Sequence, residues 1–162
     1  MKNNKICSFF GHRNITITNE LEKRLKDTII DLIENKDIGV FYFGGHGDFD
    51  DLCYKVVSSL MRKYPFIKRI FFLLDERHLN YFNRPKWLRE KDFEEFVYPN
   101  ISYNYWYRRI YFRNIEMVSE SHYVVFYVEP KENSGAYKAY KYAQKIKKDN
   151  INLFEGFSLF YV

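Results

Sequence analysis

Apolar positions along this chain follow two alternating rhythms. Residues 6–10, 39–43, 68–74, 123–128 and 151–154 are short, mostly apolar runs bounded by turn formers, the pattern of strands buried on both faces. Between them, apolar residues recur every three or four positions. Leu21, Leu25, Ile29, Leu32 and Ile33 line one face of a predicted helix, with Asn19 as its cap and Glu22 three residues on. Leu52, Val56, Val57 and Leu60 line a second, capped by Asp50 or Asp51 and ended by Tyr64-Pro65. Ile110, Phe112, Met117 and Val118 form the apolar side of a third. Ala136, Ala139, Tyr140, Ala143 and Ile146 form that of a fourth, opened by Ser134-Gly135.

Strands alternating with helices predict an α/β fold with a parallel sheet covered on both faces. Right-handed crossovers and one reversal of the chain give a Rossmann-like, doubly wound sheet of about five strands in the order 3-2-1-4-5. Residues 75–107 break the rhythm where a plain crossover helix is expected. They are polar and aromatic, with Arg77, His78, Tyr81, Phe82, Arg84, Trp87 and Arg89, then Tyr103, Tyr105, Trp106 and Tyr107. This insertion leaves the carboxyl end of the third strand. Two readings stay open for it, a peripheral subdomain packed by its own aromatics or a lid over a ligand.

The length of 162 residues fits one domain, residues 1–162, with a single sizeable core. The net charge of +5 favours anionic ligands without requiring nucleic acid. The 15 Tyr and 16 Phe, beside many Lys and Asn, fit either codon drift or a functional surplus of rings. Cys7 and Cys53 fall in apolar patterns and read as reduced, buried thiols of a cytoplasmic protein. No apolar run nears the ~18 residues of a membrane span, so no membrane partner is expected. No metal-ligand cluster and no cofactor motif stands out.

The candidate chemistry lies in three loops that this topology brings to the carboxyl edge of the sheet, where ligands bind in open α/β folds. The first is Gly11-His12-Arg13, in which Gly11 permits close backbone approach and Arg13 can pair with a phosphate. The second is Gly44-Gly45-His46-Gly47, running to Asp50, a glycine loop ahead of a helix N-terminus. It is not a P-loop, because no Gly-Lys-Ser/Thr follows. The third runs from Glu129 to Ser134-Gly135. Arg109, Arg113 and Glu116 share a helix side that by default is a solvated charged face, yet this helix leads into the switch point. Arg113 and Asn114 are therefore candidates to look into the crevice.

The order Phe9-Phe10-Gly11-His12-Arg13, Phe43-Gly44-Gly45-His46-Gly47-Asp48-Phe49-Asp50, Tyr64-Pro65, Arg113-Asn114-Ile115-Glu116-Met117-Val118 and Gly135 resembles the SLOG superfamily, and most nearly its short YpsA-like members. The resemblance covers essentially the whole chain. It implies a Rossmann-like fold that binds nucleotides or nucleotide-derived ligands. SLOG relatives include DprA, which binds single strands, and the LOG hydrolases of cytokinin-type nucleotides. The LOG motif P-G-G-x-G-T-x-x-E has its counterpart at Glu132-Asn133-Ser134-Gly135-Ala136-Tyr137-Lys138-Ala139-Tyr140, where the second Gly, the Thr and the Glu are absent. Many SLOG proteins self-associate, which makes a homo-oligomer compatible with the resemblance.

The leading expectation is thus binding or sensing of a nucleotide-like small molecule. The site would be Gly11, His12, Arg13, Gly44, Gly45, His46, Gly47, Asp50, Arg113, Asn114, Glu129, Ser134 and Gly135. A nucleotide hydrolase is one alternative, with Asp50, Glu116 or Glu129 as the carboxylate. A single-stranded nucleic-acid module, using the charge and the aromatic insertion, is the other.

Overall fold

In the computed structural model, which describes residues 3–98, 106–130 and 134–154, the chain alternates strands and helices along most of its length. The elements are β1 (Lys5–Gly11), α1 (Asn19–Asn35), β2 (Ile38–Phe43), α2 (Asp48–Leu60), β3 (Lys68–Phe72), α3 (Lys86–Arg89), β4 (Glu95–Val97), α4 (Trp106–Glu120), β5 (Tyr123–Tyr127), α5 (Gly135–Lys145) and β6 (Asn150–Asn152). All strand pairs are parallel, in the order β4-β3-β2-β1-β5-β6. The five predicted strands hold their predicted order, and the fold is Rossmann-like. The sixth strand, β4, comes from within the insertion and extends the sheet beyond β3.

Side-chain alternation explains the layering. On β1, Cys7 and Phe9 face a core completed by α1 and α2, whereas Phe10 faces one completed by α4 and α5. On β2, Phe41 and Phe43 join the first core and Tyr42 the second. Phe9 stacks on Phe41 with ring centres 5.8 Å apart and packs at a tilt on Phe43 at 5.3 Å, which ties β1 to β2 on the first face. On the second face, Phe10 pairs with Phe126 of β5 at 5.9 Å. Cys7 and Cys53 are both buried with free thiols. Among the described residues no helix is long and apolar enough to cross a membrane.

Several local expectations are corrected. Thr18, not Asn19, caps α1, its Oγ1 accepting the Leu21 N–H at 3.1 Å. Neither Asp50 nor Asp51 caps α2, which begins earlier at Asp48, so both sit inside its first turn. That helix ends at Leu60, ahead of Tyr64. Ile146 stands just past the end of α5 and is exposed, because the helix stops at Lys145. Arg113, the helix residue expected to turn from the default solvated face toward the crevice, is buried, 6% exposed, against the Gly44 backbone.

The insertion is docked on the sheet. Phe93 packs within 6 Å of Phe43, Tyr54 and Phe71. Arg69 of β3 holds Glu94 through two bonds, Nε to Oε1 at 3.0 Å and Nη2 to Oε2 at 2.8 Å. Asp75 accepts from Arg109 of α4 at 3.2 Å, fixing the start of the insertion. The predicted insertion residues Tyr103 and Tyr105, and the loop residues Glu132 and Asn133, lie outside the described residues.

Candidate functional site

Because every strand is parallel, the loops after β1, β2 and β5 meet at one edge, over a crevice of about 500 Å³. Gly11, His12, Arg13, Gly44, Gly45, His46, Asp50, Arg113, Asn114, Ser134 and Gly135 all line it. Gly47, Glu116 and Glu129 do not. Of the three carboxylates proposed for chemistry, only Asp50 faces the crevice.

The glycines are demanded by the protein's own side chains. A Cβ on Gly44 would stand 2.6 Å from Met117 Sδ and 3.0 Å from Arg113 Nε. One on Gly45 would stand 2.0 Å from Asp50 Oδ2. A side chain at either position would force Met117, Arg113 or Asp50 to move, so glycine lets α4 and α2 close over the loop undisturbed. Gly11 likewise makes room for the Phe49 ring, 2.4 Å from where its Cβ would be.

The two helix N-termini at the crevice differ. The first turn of α2 carries Asp48, Asp50 and Asp51, which already complement its dipole. Its opening amide is also taken, because Asp48 N–H donates to Arg13 O at 2.7 Å. The first turn of α5 holds no acid. Ser134 caps it, Oγ accepting from the Tyr137 N–H at 3.3 Å. His12 braces this corner. Its Nε2 accepts the Glu129 N–H at 2.8 Å, which leaves Nδ1 as the protonated nitrogen facing Ser134 Oγ at 3.3 Å.

The floor is polar and buried. Arg113 donates from Nε and Nη2 to Asn114 Oδ1, at 3.3 and 3.1 Å. Asp50 lies close enough to feel that charge, yet its buried Oδ1 has no hydrogen-bond partner. Burial pushes the Asp50 carboxyl up to about 7 against the pull of Arg113 and Lys91. The same burial lowers Arg113 to about 10, countered by Asp50.

The insertion supplies a wall that residue-by-residue reading of the sequence did not assign. His46 stacks on Trp87 with ring centres 4.6 Å apart and planes 12° apart. Pro85 and His78 line the same side. His78 Nδ1 is buried without a partner, and burial lowers the pKa of its ring. The available signal was positional: the insertion departs from the carboxyl end of β3, the edge where the crevice opens.

The fold has a counterpart among solved structures. DNA processing protein A (DprA) from Streptococcus pneumoniae superposes on 90% of this chain with a TM-score of 0.59, at 16% sequence identity. The match spans 49% of that protein, so the chain corresponds to about half its length. At this identity the likeness establishes a shared DprA-like, Rossmann-like fold. No protein-family model and no curated protein matches the sequence.

Proposed function

We propose that this chain is a SLOG-type module of the YpsA-like kind that binds or senses a nucleotide or nucleotide-derived anion in the crevice. The observation that carries this reading is the division of one cavity into three chemically distinct parts. An acid-free helix N-terminus at Ser134-Gly135, in the cavity that Arg13 also lines, suits a phosphate. The stacked His46–Trp87 pair offers a flat apolar wall for a base. Between them, Asp50 and Asn114 supply buried polar groups for a sugar or a base edge. A phosphate fits α5 better than α2, because three aspartates crowd the first turn of α2.

Calorimetry and thermal shift against mononucleotides, cyclic nucleotides and ADP-ribose derivatives test the reading. Binding stabilises the fold by RT ln(1 + [L]/Kd), so a ligand at about 100 times its Kd adds about 2.7 kcal/mol. A folded sample that none of these ligands stabilises rules the reading out.

A second reading is turnover of that ligand, favoured by Asp50 alone among the candidate carboxylates. Its proton affinity lies near neutrality, where a carboxyl can act as acid or base. Prolonged incubation of labelled nucleotides with concentrated protein, followed by chromatography, decides it. Recovery of intact nucleotide ends the hydrolase reading and leaves the binding one standing.

A further inference from the structure

Among the described residues, two buried side-chain polar atoms have no hydrogen-bond partner, Asp50 Oδ1 and His78 Nδ1, and both residues line the crevice. Buried polar groups are nearly always paired, so an orphan of this kind marks strain, a functional role or a missing partner. Asp50 belongs to α2 and the floor. His78 comes from the insertion, which stands where a plain crossover helix is expected.

The insertion holds His78 in place. The residue lies in the short helical turn Glu76–Leu79, whose other three residues are exposed while His78 is half-buried. Asp75 caps that turn, accepting the Arg77 N–H at 2.7 Å, and is tied to α4 through Arg109 at 3.2 Å. Arg84 Nε donates to the His78 carbonyl at 2.6 Å, and the same guanidinium lies over the Phe96 ring of β4 at 4.7 Å. The backbone under the imidazole is thus fixed from both sides, as a selective contact requires. Trp87 and His46, stacked on each other, line the same crevice.

Burial settles where the proton of the ring sits. It lowers the pKa of His78; Asp75 opposes this, and Arg77, Arg113 and Arg84 reinforce it, so the imidazole is neutral at pH 7. A neutral imidazole has one N–H donor and one lone-pair acceptor. A buried N–H without an acceptor is the rarer kind of orphan, so the covered Nδ1 carries the lone pair. The proton is then on Nε2, which makes no hydrogen bond among the described residues and is not buried. His78 therefore offers the crevice one uncharged donor.

The charges around the ring choose what that donor meets. Adenine presents an amino donor at position 6 of the purine, whereas guanine and hypoxanthine present a carbonyl there. An amino group would set N–H against N–H, close to the arginines that press on the ring. A carbonyl accepts the bond and turns its partial negative charge toward them.

We propose that His78 is a specificity-determining residue of the crevice, its Nε2–H donating to the carbonyl of a 6-oxopurine whose ring lies on the His46–Trp87 wall. This role rests on the crevice being a nucleotide site.

Calorimetry of the full chain with IMP and AMP tests it, since the two share sugar and phosphate and differ at the carbonyl or amino group. A hydrogen bond of this kind is worth roughly two- to tenfold in affinity, and a donor facing a donor widens the gap. IMP should therefore bind at least about fivefold more tightly than AMP. His78→Ala should bring the two within about twofold of each other, with the loss falling on IMP. His78→Gln, which returns an amide N–H, should restore part of the preference. Circular dichroism confirms that each variant folds. Long-range proton–nitrogen NMR of the ligand-free wild type reads the ring directly and needs no variant. Nε2 should carry the proton, and its resonance should move on addition of IMP. Equal affinities in the wild type, a preference for AMP, a preference that survives in His78→Ala, or a proton on Nδ1 each overturns the role of His78. Equal binding of IMP and AMP does so while leaving the nucleotide reading of the crevice standing. Binding of neither overturns both.

Discussion

Arg113 donates to the neighbouring Asn114 and leaves Asp50 Oδ1 buried beside it without a hydrogen bond. A buried charge pair is secure only when its remaining hydrogen-bonding capacity is also met. Here the carboxyl half is left short, so burial outweighs the attraction of Arg113 and holds the Asp50 proton up to about 7.

The sign of the pH dependence follows. Asp50 has an ordinary value of 3.8 when unfolded and about 7 when folded, so the folded state binds its proton more tightly. Its stabilising contribution is full below about 4, falls as pH rises, and is gone above about 7. At about 1.4 kcal/mol per pKa unit the loss has a ceiling of about 4 kcal/mol. Urea unfolding at pH 4.5 and 7.5 should show wild-type stability falling across this window. Asp50→Asn, which cannot ionise, should remove that component of the fall. Equal pH dependence in the two proteins would show that Asp50 is not the group responsible.

Gly45 and Asp50 are linked by space. A methyl group at position 45 would stand 2.0 Å from Asp50 Oδ2, so Gly45→Ala must displace the carboxylate or the loop. We expect a loss of about 1–3 kcal/mol, typical of overpacking. Asp50→Ala in the same chain should recover most of it, because the obstructing oxygen is gone. Denaturant melts of the two single variants and the double variant measure the coupling. Strictly additive losses would mean that the glycine answers to something other than Asp50.

The sheet was legible because parallel strands buried on both faces read as apolar runs, and β1, β2, β3 and β5 each had one; β6, Asn-Ile-Asn and half-buried throughout, was marked only by the mixed stretch at 151–154. β4 had none. Glu95-Phe96-Val97 is three residues long, begins with an acid, and is paired with β3 where Arg69 grips Glu94, a contact between distant parts of the chain. Burial of Arg113 was hidden for a similar reason. Its helical spacing groups it with Arg109 and Glu116, and only the absence of a side chain at Gly44, far away in sequence, opens the space it fills. The glycine pattern was visible as a pattern, but it accommodates the protein's own side chains. Trp87 was visible as an aromatic in an irregular segment. Its stacking on His46 depends on how that segment docks, which local periodicity does not encode.

Ser134 separates stability from recognition at the other helix. Its Oγ caps α5 and meets His12, so Ser134→Ala should cost about 1 kcal/mol in a thermal or denaturant melt. Ser134→Asp keeps a good cap and places a negative charge where the proposed phosphate sits. The aspartate variant should therefore melt close to wild type while its affinity for a mononucleotide falls at least tenfold by calorimetry. If the aspartate variant binds as tightly as wild type, the phosphate does not sit at α5.

The stacked wall gives the most direct check on how a base would sit. Trp87 is half-buried, with His46 on one side and Phe71 at 5.9 Å, so it is held in place by packing on the sheet. Base–aromatic stacking is worth about 1–3 kcal/mol, which corresponds to roughly five- to hundredfold in affinity. Trp87→Ala should weaken mononucleotide binding by that factor, and Trp87→Phe, which keeps a ring face, should recover part of it. Both variants also lose packing, so their melting temperatures must be read alongside. A stability loss would appear in both, larger in the alanine variant, whereas a stacking loss discriminates among ligands. Ribose 5-phosphate, which has no base, should bind wild type and Trp87→Ala equally. Should the alanine variant lose affinity for the sugar phosphate by the same factor as for the nucleotide, the tryptophan shapes the crevice and does not stack the base.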